Sequence, residues 1–341
     1  MAKKKNDAEP VSDNPASIFA ERVRKKYGAD NIESGNYVLE RPRKKLSVCP
    51  SFDLNLGGGI TEGTISLISG KPKCGKTTLC LQVAKSAIED NRDVFYLSVE
   101  NRFSEANARG IEGLDVEKIQ VIKSAKGRII SGEDFLNIAR DIVYEVPSAL
   151  IILDSTSAIT PREENSEDIT GKGRALAPRM FSEWCKSIAP VVPTNNTIIL
   201  AIQHLITNTT GYGPQFSEDG GVKLKFQSDL LLRAKGQEKW VLSNGKIIGQ
   251  KVLWDVIWSN HVGPKVDKFE SYLRYGYGFD VIKEIINIGI ETGAVNQAGA
   301  WYSIDGEEGK FQGEENLWAA LHDNKELFTK VRSNVYGMLT Q

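Results

Sequence analysis

Hydrophobic positions along this chain keep two rhythms. Short apolar, β-branched runs at Thr64–Ser69, Val94–Val99, Leu150–Asp154 and Ile198–Ile202 read as buried strands, while Leu79–Ile88, Phe135–Val146 and Pro178–Ile188 between them have helical spacing. Strands alternating with helices predict an α/β fold, a mostly parallel sheet covered by helices on both faces. The later runs Asp229–Ala234, Lys251–Ser259 and Phe269–Tyr275 follow one another more closely and predict an antiparallel extension at the sheet edge. From Gly276 the pattern turns helical again, with Val281, Ile282, Ile285, Ile286 and Ile290, before a glycine-rich piece and a last helix near Asn324–Leu339. At the other end Ile18, Phe19, Val23 and Tyr27 share one face of a short helix over Pro15–Tyr27, and an apolar stripe of that kind needs a partner surface.

These rhythms divide the chain into a charged mobile tail (residues 1–14), an N-terminal helix with a basic linker (15–45), a core (46–275) and a small C-terminal α/β domain (276–341). Two polar or glycine-rich intervals, Glu163–Arg174 and Thr207–Lys223, are longer than ordinary connections, and long loops inside a compact α/β core are usually functional.

Between the first strand and its helix lies Gly70-Lys71-Pro72-Lys73-Cys74-Gly75-Lys76-Thr77-Thr78, which fits the phosphate-loop pattern G-x-x-x-x-G-K-[ST] in the required strand–loop–helix order. Gly70 and Gly75 let successive N–H groups turn into one concavity, to which the following helix adds the positive end of its dipole. A polyphosphate fits there. Lys76 would reach the β and γ phosphates, and the Thr77 hydroxyl would complete a Mg²⁺ shell.

Ligands of open parallel sheets gather at the carboxyl ends of strands, so the residues that close each strand are the next candidates. Asp154 ends Leu150–Leu153 in the manner of an acid that holds Mg²⁺ through water. Glu100 follows Val94–Val99, where a carboxylate can orient and deprotonate a water attacking the γ phosphate. Gln203 ends Thr197–Ile202, and its amide is expected to sense the γ phosphate and relay its presence into the interval 207–223. His204, beside it, reads as a bystander.

Bulk properties narrow the classes of function. At 341 residues with 40% hydrophobic and 26% charged residues the chain is an ordinary globular protein, not a disordered one. A net charge of −1 excludes binding of polyanions through bulk charge, so any nucleic-acid contact must come from local loops and neutral donors. Cys49, Cys74, Cys80 and Cys185 show neither paired metal spacing nor a disulfide pattern, which fits a reducing cytosol. Cys74 lies in the phosphate loop near a helix N-terminus, where a thiolate is favoured, and a small loop-filling residue is the equal alternative. The most apolar runs, Ala149–Leu153 and Thr197–Ile202, are too short to cross a bilayer, and no signal peptide is visible, so a soluble cytoplasmic protein without a membrane partner is expected.

In this order the motifs resemble the RecA-type homologous recombinases, over roughly residues 15–335. The phosphate loop with Leu79–Ala84, Glu100, Leu153–Pro161, Ala177–Met180, Gly220–Phe226 and Ala298–Ser303 all look like landmarks of that family, while divergence elsewhere suggests a distant member, phage-encoded in one reading. The resemblance implies an ATP- and Mg²⁺-dependent, DNA-stimulated ATPase core. It also implies an N-terminal helix docked on a neighbouring subunit, and a helical filament on single-stranded DNA that pairs with homologous duplex. ATP would lie between adjacent subunits. Single-strand-binding and mediator proteins stay open as further partners.

By the same likeness the long intervals, near 163–174 and 205–225, correspond to DNA-binding loops, with Arg174, Arg179, Tyr212, Gly220, Gly221 and Lys223 as DNA contacts. Lys225 and Phe226 correspond to an intersubunit contact, and Tyr275 to an aromatic beside the adenine. Departures are equally specific: Asn107 stands where the family stacks another aromatic, and Leu205 and Thr207 where cationic residues are usual. Trp258–His261 replaces the stretch carrying lysines that reach ATP from the neighbour, leaving His261 or Lys265 as substitutes. Two other functions share the core: a nucleotide-controlled accessory or assembly factor without strand exchange, and a ring helicase motor.

Overall fold

Helix α1 (Pro15–Tyr27) begins where the sequence supplies start signals: the Asn14 side chain accepts from the Ala16 amide at 3.0 Å, and Pro15 takes the first helical position. Arg24, Lys25 and Lys26 close it at the negative end of the helix dipole. None of its residues is buried. It belongs to the first of two contact units, residues 1–44 and 45–341. The computed structural model describes residues 14–33, 35, 42–161, 176–207, 216–218, 222–242, 244–260 and 267–339. The expected mobile tail up to residue 13, along with Arg174, Tyr212, Gly220, Gly221, His261, Lys265 and the side chain of Lys223, lies outside them.

The second unit opens with β1 (Lys45–Leu46), α2 (Pro50–Asn55) and β2 (Ile60–Thr61), the two strands pairing antiparallel. Then β3 (Thr64–Gly70) leads into α3 (Lys76–Glu89), β4 (Val94–Ser98) into the short α4 (Glu105–Ala108), and β5 (Ile119–Ile122) into α5 (Gly132–Glu145). Helix α5 carries a capping box in which Ser131 accepts from the Asp134 amide at 3.2 Å while the Asp134 side chain accepts from the Ser131 amide at 3.4 Å. After β6 (Leu150–Asp154) come α6 (Leu176–Ile188), α7 (Val191–Thr194), β7 (Ile198–Thr207), β8 (Phe216–Glu218) and α8 (Val222–Gln227).

The long hairpin of β9 (Leu230–Val241) and β10 (Ile247–Ser259) continues into β11 (Lys268–Arg274) and β12 (Gly278–Phe279). The C-terminal part comprises α9 (Val281–Thr292), the meander β13 (Val295–Ala298), β14 (Trp301–Ile304) and β15 (Phe311–Gln312), then α10 (Glu314–Asp323) and α11 (Lys325–Leu339).

The main sheet has ten strands in the order β12-β11-β10-β9-β3-β7-β6-β4-β5, with β8 paired to β7. From β9 to β5 neighbouring strands are parallel; β9 to β12 form the antiparallel extension. Strands covered on both faces are apolar at every position: Leu150, Ile151, Ile152 and Leu153 are all fully buried, each worth about 2 kcal/mol of transfer free energy. Their alternation builds two cores. Ile68, Tyr96, Ile152, Ile202 and Leu232 pack against α3, while Leu67, Leu97, Ile151, Leu153 and Ala201 pack against α5 and α6. The edge strand β5, only four residues with two half-buried, gave the sequence reading no signal.

Around α9 a third cluster forms, from Ile282, Ile285, Ile286, Val295, Leu317, Val331 and Val335. Its seam with the sheet is polar and closed. The Asp280 carboxylate, fully buried, accepts from Arg274 Nε at 2.5 Å, Trp318 Nε1 at 2.8 Å and the Lys283 amide at 2.8 Å, and the Arg274 guanidinium lies between the rings of Trp240 and Trp318. Next to it Glu284 is buried with neutral donors: the amides of Ser51 at 2.9 Å and Tyr272 at 3.2 Å, and the Cys49 thiol at 3.4 Å.

Burial pushes the Glu284 carboxyl up from 4.5 to about 7, against the opposing pull of those donors. Because the folded value is the raised one, its stabilisation is complete below the ordinary carboxyl range and is lost as the pH climbs through about 7, by on the order of 3 kcal/mol. Glu284→Gln keeps an acceptor oxygen for one of the two amides, at a cost that does not vary with pH, and removes the titration. Urea unfolding at pH 5 and pH 8 should therefore show the variant gaining stability relative to the wild type at the higher pH; equal differences at both pH values would refute this account of Glu284.

Candidate nucleotide-binding site

The loop leaving β3 is built by close approaches that only glycine permits. A Cβ on Gly70, whose φ is 156°, would stand 2.7 Å from Cys74 Sγ and 2.9 Å from the Ala234 carbonyl oxygen; one on Gly75, with φ 89°, would stand 2.4 Å from Leu273 Cδ1. The turn delivers Lys76 to the first position of α3, where its buried amine donates to the carbonyls of Gly70 at 2.9 Å and Lys71 at 2.8 Å. Cys74 fills the loop. Burial raises its thiol above the ordinary range despite the charge of Lys76, which favours the loop-filling alternative over the thiolate.

Across the loop mouth stand the ends of β6 and β4. Thr77 Oγ1 donates to Asp154 Oδ2 at 3.2 Å, and the Tyr96 hydroxyl donates to the same oxygen. Burial raises the Asp154 carboxyl, and these two donors oppose the rise. Among the described residues no cluster of three His, Cys, Asp or Glu side chains forms a metal cage. One hydroxyl beside one carboxylate is a hard oxygen pair, and it fits a Mg²⁺ ion that completes its shell with phosphate and water.

Glu100, just past β4, accepts from Ser155 Oγ at 2.6 Å and His204 Nε2 at 2.7 Å, and pairs with Arg102 at 2.9 Å. Burial works to raise this carboxyl, but the three partners more than offset it and hold it below the ordinary range. It is ionised at neutral pH. The cleft that joins all these groups has a volume of about 680 Å³; its far wall is Asn107, Gln250 and Tyr275. Gln250 reaches from β10 to donate to the Lys73 carbonyl at 3.2 Å, a contact with no sequence signature.

The expected place of Gln203 is corrected. Successive residues of a strand face opposite sides, and on β7 it is Ile202 and His204 that line the cleft. Gln203 points to the opposite face at 0% exposure, and among the described residues its amide has no hydrogen-bond partner. His204, read as a bystander, holds Glu100. The signal is the strand period itself, which reverses at every residue and sets Gln203 and His204 on opposite faces.

The profile of the RecA N-terminal domain matches residues 17–280 and that of the RecA C-terminal domain residues 283–340. The chain belongs to the RecA family. Similar relatives are the protein RecA of Thermus aquaticus, 26% identical over 303 residues (87% of this chain, 86% of that one), and of Streptococcus mutans, 29% identical over 315 residues (89% and 80%). The protein RecA of Sulfurovum sp. is 29% identical over 288 residues (83% and 80%).

Other residues singled out in the sequence lie away from the cleft of this RecA-family chain. Arg179 is exposed on α6 and pairs with Glu183 at 3.0 Å, one turn along the same helix. Phe226 on α8 is 81% exposed and not part of the core; Lys225 beside it caps the turn to Ser228, whose amide and hydroxyl donate to its carbonyl at 3.2 and 2.7 Å. No helix among the described residues is long and apolar enough to span a membrane.

All four cysteines are free and buried. With the Cys74 thiol raised as well as covered, Ellman's reagent at pH 8 should find essentially no reactive thiol in the folded chain and four after denaturation, with ATP and Mg²⁺ making no difference. Rapid labelling of Cys74 in the native protein would overturn its assignment as loop filling.

Proposed function

We propose that the protein is an ATP-dependent DNA recombinase: it assembles as a filament on single-stranded DNA, pairs that strand with homologous duplex and is released after hydrolysing ATP. The observation that carries the reading is the convergence of Lys76, Thr77, Asp154, Glu100 and His204 on one cleft. Family membership supplies the DNA side.

The backbone of residues 70–76 and the Lys76 amine receive the phosphates. Thr77 and Asp154 hold Mg²⁺, which when bound neutralises charge on the β and γ phosphates. Glu100, ionised and facing the cleft, takes a proton from the attacking water as its oxygen bonds to the γ phosphorus; the bond to the bridging oxygen breaks and ADP departs. Arg102 offers a further positive charge. Tyr275, 63% exposed at the cleft rim, offers its ring to the adenine, and Asn107 an amide in place of a second ring.

His204 takes the coupling role that the sequence had suggested for Gln203. Its ring holds Glu100 at one end of the cleft, and its strand runs only three residues further before the interval that the family uses for DNA. A γ phosphate that draws His204 or Glu100 apart acts on that strand end directly. Only a difference in affinity between the two arrangements shifts their populations, so ATP and ADP must differ at this contact. A cytoplasmic site of action, and Lys223, Lys225, Phe226, His261 and Lys265 as DNA or neighbour contacts, belong to the same proposal.

Glu100→Gln should bind ATP within about threefold of wild type and hydrolyse it at least about a hundredfold more slowly, holding single-stranded DNA longer; normal turnover would refute the base assignment. His204→Ala should abolish the difference in DNA affinity between ATP and ADP states, read by fluorescence anisotropy of a labelled oligonucleotide, whereas Gln203→Met should keep it. The opposite outcome restores Gln203 to the coupling role. Negative-stain imaging with ATPase and strand-pairing assays tests the whole reading: open filaments, DNA-stimulated turnover and pairing support it. Assembly without pairing points to an accessory factor, and closed rings to a helicase motor.

A further inference from the structure

We infer that Tyr96 is a positioning residue for the divalent cation, fixing the orientation of the Asp154 carboxylate through its hydroxyl. The inference rests on the nucleotide reading of the cleft and adds to it a residue with no place in the phosphate-loop pattern.

Tyr96 and Asp154 sit on adjacent parallel strands, β4 and β6, with Tyr96 opposite Ile152 and Ser98 opposite Asp154. Their side chains share the sheet face that packs on α3. The ring of Tyr96 is 1% exposed and held by Phe103, whose centroid is 4.7 Å away. A tyrosine placed this deeply has one way to satisfy its hydroxyl, and the partner it reaches is Asp154 Oδ2. A carboxylate on its own turns about its last torsion in a broad, two-fold well. Here one oxygen is pinned by two hydroxyls: Tyr96 from the neighbouring strand, and Thr77 from the helix at 3.2 Å. The Thr77 donor is itself a candidate ligand, so only the Tyr96 bond remains to hold the carboxylate when a cation draws Thr77 away. Outer groups that orient a metal-binding side chain commonly change metal affinity by ten- to a hundredfold when removed.

Sequence explains why the role is easily overlooked. Phe95-Tyr96-Leu97 reads as plain strand, and a tyrosine there passes for core. A purely structural tyrosine and an orienting one differ in a measurable respect: the first affects the folded state as a whole, the second the cation alone.

The test uses the full chain and a fluorescent ATP analogue at fixed concentration, titrated with Mg²⁺, alongside binding of the same analogue in EDTA and thermal unfolding without ligand. Tyr96→Phe should raise the Mg²⁺ midpoint about tenfold while leaving binding in EDTA unchanged. Phe103→Leu, which loosens the ring without touching the hydroxyl, should lower the unfolding temperature and leave the midpoint where it was. A wild-type midpoint in Tyr96→Phe, an equal shift in Phe103→Leu, or a Tyr96→Phe chain that fails to fold would each overturn the inference, the last because the hydroxyl would then serve the fold. If the wild-type chain itself shows no Mg²⁺-dependent binding, the nucleotide reading falls with it; if the wild type responds and Tyr96→Phe responds alike, the inference alone falls.

Discussion

Parallel register is the constraint on which the cleft depends. Gly70 lies opposite His204, and Ser98 opposite Asp154, so β3, β4 and β6 end near the level of His204 on β7, and the phosphate loop, His204, Asp154 and Glu100 meet within one cleft. No single side-chain contact achieves this. The register is set by strands apolar on both faces, for which a slip of one residue would transfer every side chain to the other core.

What could be read from the sequence follows from the same physics. Continuous apolar runs, start and stop signals and the glycine loop locate β3, β4, β6 and α1 to within a residue and α3 and α5 to within three, because each depends on its own local pattern. Loop residues 72–78, Asp154 and Glu100 meet in one cleft because each sits where a strand of the parallel sheet ends; Tyr275, which only the family likeness pointed to, lines the same cleft. Information carried by partners was harder to see. The short edge strand β5 has too few residues to show a rhythm, the β9–β10 hairpin stays polar beyond the sheet and so hides its length, and Gln250 reaches the loop from far along the chain. Gln203 and His204 illustrate the sharpest limit: both are polar and adjacent, and composition favours neither. Only the facing of the strand decides.

Electrostatics divide the molecule in a similar way. At the cleft each carboxylate has hydroxyl, imidazole or guanidinium donors, and Glu100 stays charged for its work. At the seam with the C-terminal helices Asp280 is satisfied by a cation and two N–H donors, while Glu284 a few residues on has neutral donors only and prefers its proton. Two buried acids within one turn thus differ in whether a guanidinium is in reach.

The hairpin side of the phosphate loop has a mechanical consequence. Leu273 crowds the position where Gly75 lacks a Cβ, Ala234 crowds Gly70, and Gln250 ties the Lys73 carbonyl, so three strands of the antiparallel extension brace one flank of the turn. The opposite flank is held by individual polar contacts to Thr77 and Glu100. The cleft is therefore asymmetric: packed strands back one flank of the phosphate loop, and separate polar side-chain contacts hold the other.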